Sequence, residues 1–541
     1  MPRRRRSRLI VLVSALGGLV AGVGPARAGT FPVAPGEDFC QVFNQQAGPG
    51  DEVLLAPGDH AGPCVLSQGG TPGLPKALRA ADPGDPPRIV YEGASSNVLD
   101  VTTSHVVIEG IRFGPTQADI DAIKIKAGDQ VRIAGNHFFQ IGGISVSANT
   151  VDTEGIEIVD NFFEDLSATG IYLGCHGGMA SCSARGYTIA GNLIDGVDSA
   201  NVGYGLEVKL DSDGVVRDNV IHDTKGPGIE IYGSTELTRV NVVERNLVIG
   251  SRNNATLEIA GGPTIVRSNL VIGGAGGGLY VYDYQDRGLV RAIQVVGNTV
   301  IGDAGPAVAL SKWGPDLELE FADNAAWQMA GGGPAMPAAI AGVAWAGNVE
   351  CTDPGLCWVD AAGWDLGPAP GSPLEGGGAA PTLAALGDDF CGQARGAPPF
   401  AGGLEGGRGA GPGPLSVAFK STFACEGGGG TTGGTGGETS GGDTSGGTTG
   451  EGTSSAGTSG GATSEGTSGG SASGGSVSAG TTAGATGSTS EGGGEDGGGC
   501  ACASGGGGGS GWALLVVALL RRRRARGCTA SSALWRPAKI G

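Results

Sequence analysis

The sequence is short of positive charge where most of its residues lie. Residues 29–499 hold 21 lysines and arginines against 53 acids, a formal −32, while residues 1–28 and 500–541 carry 13 basic residues and no acid. A body this acidic repels nucleic acid and anionic lipid, so nucleic-acid binding is excluded. Residues 427–499 have no aromatic, leucine, isoleucine, lysine or arginine, and a single valine, Val477. With nothing to bury, that stretch is expected to stay disordered. No CxxC pair occurs, which removes the usual spacing of a zinc site. The body holds no 3.6-residue apolar period and no LxxLxL frame, so helical and leucine-rich repeats are also excluded.

Glycine is abundant instead: 109 of 541 residues, with 31 of them in residues 427–499. Outside that stretch its share is still more than twice the ~7% usual for soluble proteins. This disfavours long helices and suits a turn-rich β protein.

Both ends read as addresses. Arg3 to Arg6 and Arg8 precede an apolar run, Leu9 to Val23, and Ala26-Arg27-Ala28 places small residues at the −3 and −1 positions of a cleavage site. The pattern predicts an export signal over residues 1–28, cut after Ala28; the alternative is an uncut anchor, for which this run is short. At the other end Cys500-Ala501-Cys502 leads into a Gly/Ser stretch, then Trp512 to Leu520, then Arg521 to Arg524. These uncharged residues make a weak membrane span with positive flanking. Residues 426–499 become a stalk, with an r.m.s. reach of roughly 50 Å for a flexible coil.

Export gives the cysteines a meaning. Eight of the 11 lie between Cys40 and Cys425, an even number suited to disulfides in an oxidising compartment. Cys175/Cys182 and Cys351/Cys357 would close small loops, and Cys40/Cys64 and Cys391/Cys425 are the remaining expected pairs.

The body is a repeat. Asparagine followed by apolar residues recurs at Asn136, Asn161, Asn192, Asn219, Asn246, Asn269, Asn298, Asn324 and Asn348, at intervals of 23 to 31 residues. Short alternating stretches flank it, such as Val131-Arg132-Ile133 and Gly170-Ile171-Tyr172-Leu173. Period-2 strands repeating at this interval mean a solenoid with one β coil per repeat. The asparagines themselves are expected to form a structural ladder rather than a site.

This pattern resembles the right-handed parallel β-helix of the pectate-lyase-like superfamily. The segment Phe43-Asn44-Gln45-Gln46-Ala47-Gly48-Pro49-Gly50-Asp51-Glu52-Val53-Leu54-Leu55-Ala56-Pro57-Gly58 is similar to the family's opening coil. Gly371-Ser372-Pro373-Leu374 and Asp389-Phe390-Cys391-Gly392 are similar to its closing turns. The resemblance implies an all-β solenoid of about nine to eleven coils over residues 29–330, with residues 331–425 completing and closing the head. The tail, residues 500–526, resembles the C-terminal sorting signal of myxobacterial surface proteins, and residues 527–541 extend beyond it. That likeness implies cell-surface or outer-membrane attachment, with Cys500 or Cys502 as the anchor.

Strand alternation predicts a functional face. With Ile171/Leu173, Leu206/Val208, Ile229/Ile231, Leu257/Ile259 and Leu279/Val281 inward, the residues between them point to solvent. That outward column reads Lys124, Ser145, Tyr172, Glu207, Glu230, Glu258, Tyr280 and Ala309; two residues on, it reads Lys126, Ser147, Gly174, Lys209, Tyr232, Ala260, Tyr282 and Ser311. Three glutamates stacked at ~4.8 Å repel one another, so Lys209, a bound Ca²⁺ on Glu207, Glu230 and Glu258, or raised carboxyl pKa values must compensate. Tyr172, Tyr280 and Tyr282 are platforms on which sugar rings stack.

The strip suits β-elimination on a uronate polysaccharide. A cation would acidify the α-proton, Lys209 or His222 would remove it, and Tyr232 would protonate the leaving oxygen. The stretch from Gly205-Leu206-Glu207-Val208-Lys209 to Gly228-Ile229-Glu230-Ile231-Tyr232-Gly233 is similar to the alginate-lyase and chondroitinase-B branch, with Glu230 and Tyr232 where an arginine is expected. Hydrolysis by Glu207 and Glu230 and C5 epimerisation are alternatives on the same strip. A non-catalytic, glycan-binding or structural surface protein fits the same signals; loops such as Cys175-His176-Gly177-Gly178 would then decorate it.

Overall fold

The computed structural model describes residues 28–175, 181–330, 333–379, 381, 386–406 and 411–425. The leader before Ala28, the stalk, the tail with Cys500 and Cys502, and His176 lie outside the described residues. Among the described residues no helix is long and apolar enough to cross a membrane.

From Thr30 the chain climbs through three sheets in rotation, called here sheets 1, 2 and 3. They contain 14, 12 and 10 strands respectively. Successive coils stack in parallel, as where Leu206–Val208 pairs with Ile229–Ile231 in sheet 3. The alternation read from the sequence sends one side of each strand inward. Ile171, Leu173, Leu206, Val208, Ile229 and Ile231 are fully buried in one continuous core. Phe113, Phe138 and Phe163 stack within it, with ring centroids 5.1 and 4.8 Å apart.

Asparagine holds the corner between sheets 1 and 2. At each step the backbone N–H and the side-chain amide of one asparagine both donate to the Oδ1 of the next; for Asn192 and Asn219 the distances are 3.0 and 2.9 Å. The residue before each asparagine has positive φ, as at Asp160, Gly191, Asp218 and Arg245, which turns the strand sharply. The solenoid has about twelve coils rather than nine to eleven. The surplus lies at the start, because Ile111 occupies the asparagine position one coil before Asn136 and its backbone N–H still donates to the Asn136 Oδ1 at 3.0 Å.

The opening end is capped by a helical turn, Phe39–Gln41 continuing into Val42–Gln46, which inserts Phe39 and Phe43 over the core. Lys76 is buried beneath it and donates to the carbonyls of Phe43 and Ala47 at 3.0 and 2.7 Å. The coils continue to Val349–Glu350, after which the chain leaves the solenoid. Leu193, Val220, Leu247 and Leu270 form an apolar row on the outside of sheet 2, and residues 386–406 and 411–425 cover it. Phe390 and Leu404 pack on the row, and Lys420 Nζ reaches Asp218 Oδ1 at 2.8 Å and the Arg245 carbonyl at 2.6 Å. The structure pairs Cys40–Cys64, Cys175–Cys182, Cys351–Cys357 and Cys391–Cys425, the pairs read from the spacing.

Candidate functional site

The outer face of sheet 3 carries the acidic strip. Its column runs Asp100, Lys124, Ser147, Tyr172, Glu207, Glu230, Glu258, Tyr280 and Ala309 in continuous register. One coil differs from the sequence reading. Strand Val146–Ala148 pairs with Ile171–Leu173, so Ser147 and not Ser145 stands beside Tyr172.

The larger correction concerns exposure. Glu207, Glu230, Lys209 and Tyr232, expected in solvent, are only 1%, 2%, 4% and 4% exposed, and Glu258 is also buried. A rim of half-buried tyrosines covers them: Tyr172 and Tyr280 from the strands and Tyr282 just past one, joined by Tyr204 from a loop and Tyr284 from the helical turn Tyr284–Asp286. Six of the protein's eight tyrosines therefore sit in one place. Sequence reasoning missed Tyr204 and Tyr284, which lie off the strand register; the crowding of tyrosines between residues 172 and 284 was the available signal.

Each glutamate has its own partners. Lys209 Nζ is ion-paired to Glu207 Oε1, which also accepts from Tyr232 Oη at 3.0 Å. The same ammonium lies over the rings of Tyr232, Tyr172 and Tyr204, 4.2, 5.0 and 5.9 Å from their centroids. Such cation–π contacts strengthen out of water. Glu230 Oε1 accepts from Tyr282 Oη at 2.6 Å. Glu258 Oε1 accepts from the Ala255 N–H at 3.2 Å and Asn254 Nδ2 at 3.4 Å. Tyr284 sits edge-on to Tyr232, and Tyr280 stacks on Tyr282.

Burial disfavours charge on all three carboxyls. Glu230 is pushed up to about 8, first by burial and then by the charges of Glu258 and Glu207. Glu258 is pushed up to about 7 by burial, with Asn254 and the Ala255 N–H opposing. Glu207 is raised by burial, and Lys209 opposes the rise. Tyr232 and Tyr282 are held far above the usual phenol range by burial and the neighbouring carboxylates, so both remain proton donors. Near neutral pH the strip thus holds a protonated acid, Glu230, one coil away from Glu207, on which Lys209 and Tyr232 oppose the effect of burial.

Two sets of expected site residues stand differently from the expectation. His222 lies on Val220–Thr224 of sheet 2, its Nδ1 2.8 Å from Asp195 Oδ1, and is not part of this cluster. The three glutamates named as calcium ligands turn their oxygens to separate donors. Among the described residues no group of three His, Cys, Asp or Glu side chains could hold a metal ion.

Towards the opening end the same face is more open. Lys126, with a 43% exposed side chain, bonds Asp100 at 2.7 Å, and Asp121 accepts from Ser147 at 2.9 Å.

Residues 186–336 match the family model described as a right handed beta helix region. No curated protein matches the chain. Among solved structures it is similar to an alginate lyase from Paenibacillus sp. str. FPU-7, at 18% identity and TM-score 0.37, over 52% of this chain and 95% of that one. The A-module of the mannuronan C-5 epimerase AlgE6 from Azotobacter vinelandii is similar at 14% identity and TM-score 0.39, over 56% of this chain and 91% of that one. Pectate lyase Pel9A is similar at 12% identity and TM-score 0.38, over 72% of this chain and 92% of that one. The body is a right-handed parallel β-helix.

Proposed function

We propose that the chain is an exported, surface-tethered β-helix protein that cleaves a polysaccharide laid along the outer face of sheet 3, with Glu230 as proton donor and Glu207 as its carboxylate partner. The observation that carries this reading is the asymmetry of the two carboxyls. Burial and like charge keep the proton on Glu230, while Lys209 and Tyr232 favour the ionised form of Glu207 against its burial. Pairs whose environments push their protonation apart divide naturally into acid and base or nucleophile. Neighbouring coils space their strands ~4.8 Å apart, close to the carboxyl separation of about 5–5.5 Å used in retaining hydrolysis. Glu230 would protonate the bridging oxygen while Glu207 attacks the anomeric carbon, and Glu230 would then take a proton from the incoming water. The tyrosine rim supplies stacking for sugar rings and must part to admit them.

The elimination expected from the sequence needs Lys209 as base. Its ammonium is instead committed to Glu207 and to three ring faces, which favours hydrolysis. Burial of the strip supports a second reading, glycan binding without turnover. Surface tethering rests on the leader, stalk and Arg-flanked tail, and protease shaving of intact cells should release the head.

The deciding experiment presents the purified protein with neutral and uronate polysaccharides, following reducing ends and ultraviolet absorbance of unsaturated ends together. Reducing ends without absorbance, lost in Glu230→Gln and Glu207→Gln, are the expected result. Absorbance lost in Lys209→Ala would replace hydrolysis by elimination, and sugar inversion without cleavage would replace it by epimerisation. Retention on a glycan column with neither product would leave a binding module.

A further inference from the structure

The first residue after the expected leader meets a carboxylate. Gly29 N donates to Asp51 Oδ1 at 2.6 Å, and the other oxygen of Asp51 takes the Gly48 N–H at 2.7 Å. The contact is framed by backbone: Glu52 N–H donates to the Gly29 carbonyl at 2.9 Å, and Thr30–Val33 pairs in parallel with Glu52–Leu55 from that point on. The fit is close. A Cβ at position 29 would stand 3.0 Å from Asp51 Oδ1 and 3.2 Å from the Phe31 ring, so glycine suits this place. The nearby cations are engaged elsewhere. Lys76 directs its donors to the Phe43 and Ala47 carbonyls, and Arg79 pairs with Glu52 and Glu109.

We infer that the leader is hydrolysed between Ala28 and Gly29 and that the α-ammonium so formed is held by Asp51, locking the first strand onto the solenoid. Water adds across the Ala28–Gly29 peptide bond, leaving a carboxylate on Ala28 and an ammonium on Gly29. Two independent observations meet at one nitrogen. The small residues at Ala26 and Ala28 place the cut in front of it, and the fold places a carboxylate against it. Before the cut this nitrogen is an amide with one N–H and no charge. Afterwards it has three donors and a full charge, and charge-assisted bonds are roughly twice as strong as neutral ones. Processing therefore tightens the strand that begins sheet 1, an edge strand paired on one side with Glu52–Leu55. This inference is independent of what the strip on sheet 3 does.

The test begins with the intact mass of the exported protein, expected to start at Gly29; a start at any other residue overturns the inference. The mature full chain is then compared with the same chain acetylated at Gly29, which keeps every side chain and returns that nitrogen to an uncharged amide with one N–H. Amide exchange over Thr30–Val33 should be roughly tenfold faster in the acetylated form, the effect of losing about 1.4 kcal/mol of local stability. In Asp51→Asn the two forms should exchange alike. Equal exchange with and without the acetyl group in the wild-type chain, or a difference that persists in Asp51→Asn, would overturn the lock.

Discussion

Two polar columns run up this solenoid at the same spacing, and they behave in opposite ways. The asparagines from Asn136 to Asn348 each offer a donor and an acceptor, so every amide satisfies the next, with bonds of 2.9–3.0 Å repeating from coil to coil. Such a stack extends by translation and needs nothing from outside. Glu207, Glu230 and Glu258 occupy an equally regular column, but an ionised carboxylate only accepts. The column cannot satisfy itself, and each member has found a different donor or has kept its proton. One column is a framework. The other is a concentration of unlike environments on one face, and that is what acid–base chemistry uses.

Removing a partner should therefore hurt most in the charged column. Lys209→Met leaves Glu207 buried with Tyr232 and no cation, and such a loss costs about 3–5 kcal/mol. Urea unfolding should report it, and a loss under ~1 kcal/mol would mean that water already solvates the pair. Next comes a break in the framework. Asn219→Ala removes bonds with Asn192, the Ile189 carbonyl and Asn246 and strands buried groups on two coils, a loss of about 2–4 kcal/mol. Its stability should fall by the same amount at every pH, since no member of that column titrates in the accessible range.

How far the sequence carries the reader follows from the same contrast. The asparagine ladder was legible because residue type, interval and alternation all repeat, and only the coils lacking the asparagine, such as that of Ile111, escaped the count. The glutamate column was legible too, because alternation determines which residues face outward. Alternation does not determine what lies above that face. Tyr204 and Tyr284 descend from segments between the strands, and the strip was read as solvated when it is covered. His222 shows the complementary failure. It lies between Glu207 and Glu230 in the chain, yet Val220–Thr224 belongs to sheet 2 while both glutamates stand on sheet 3. Nearness in sequence means little where every coil visits three faces. The apolar outer row of sheet 2 breaks the in/out rule for a like reason, because residues 386–406 and 411–425 return to cover it.

The pH dependence sharpens the comparison further. Glu230 and Glu258 keep their protons in the folded chain up to about 8 and about 7, whereas in the unfolded chain they release them near 4.5. Between those limits the folded state binds more protons, so stability is greatest below the unfolded value and declines as pH rises through the folded ones. Urea midpoints should fall from about pH 5 to about pH 8. Glu230→Gln should flatten that decline and abolish turnover, while Asn219→Ala should keep the wild-type slope.

The smallest effect is expected from Tyr282→Phe, and it is the most selective. The Tyr282 hydroxyl favours the ionised form of Glu230, so its removal raises the Glu230 pKa further. A hydrogen bond to a charged group is worth about 1 kcal/mol more than one to a neutral group. The variant should therefore lie close to wild type near pH 6, where Glu230 is neutral, and fall about 1 kcal/mol behind near pH 9, where it is ionised. The Asn column offers no parallel, since deleting one of its bonds is equally felt at both pH values. An equal loss for Tyr282→Phe at pH 6 and pH 9 would place this tyrosine among the packing residues of the rim, and nothing from Tyr282 would then oppose the rise that burial and two glutamate neighbours impose on Glu230.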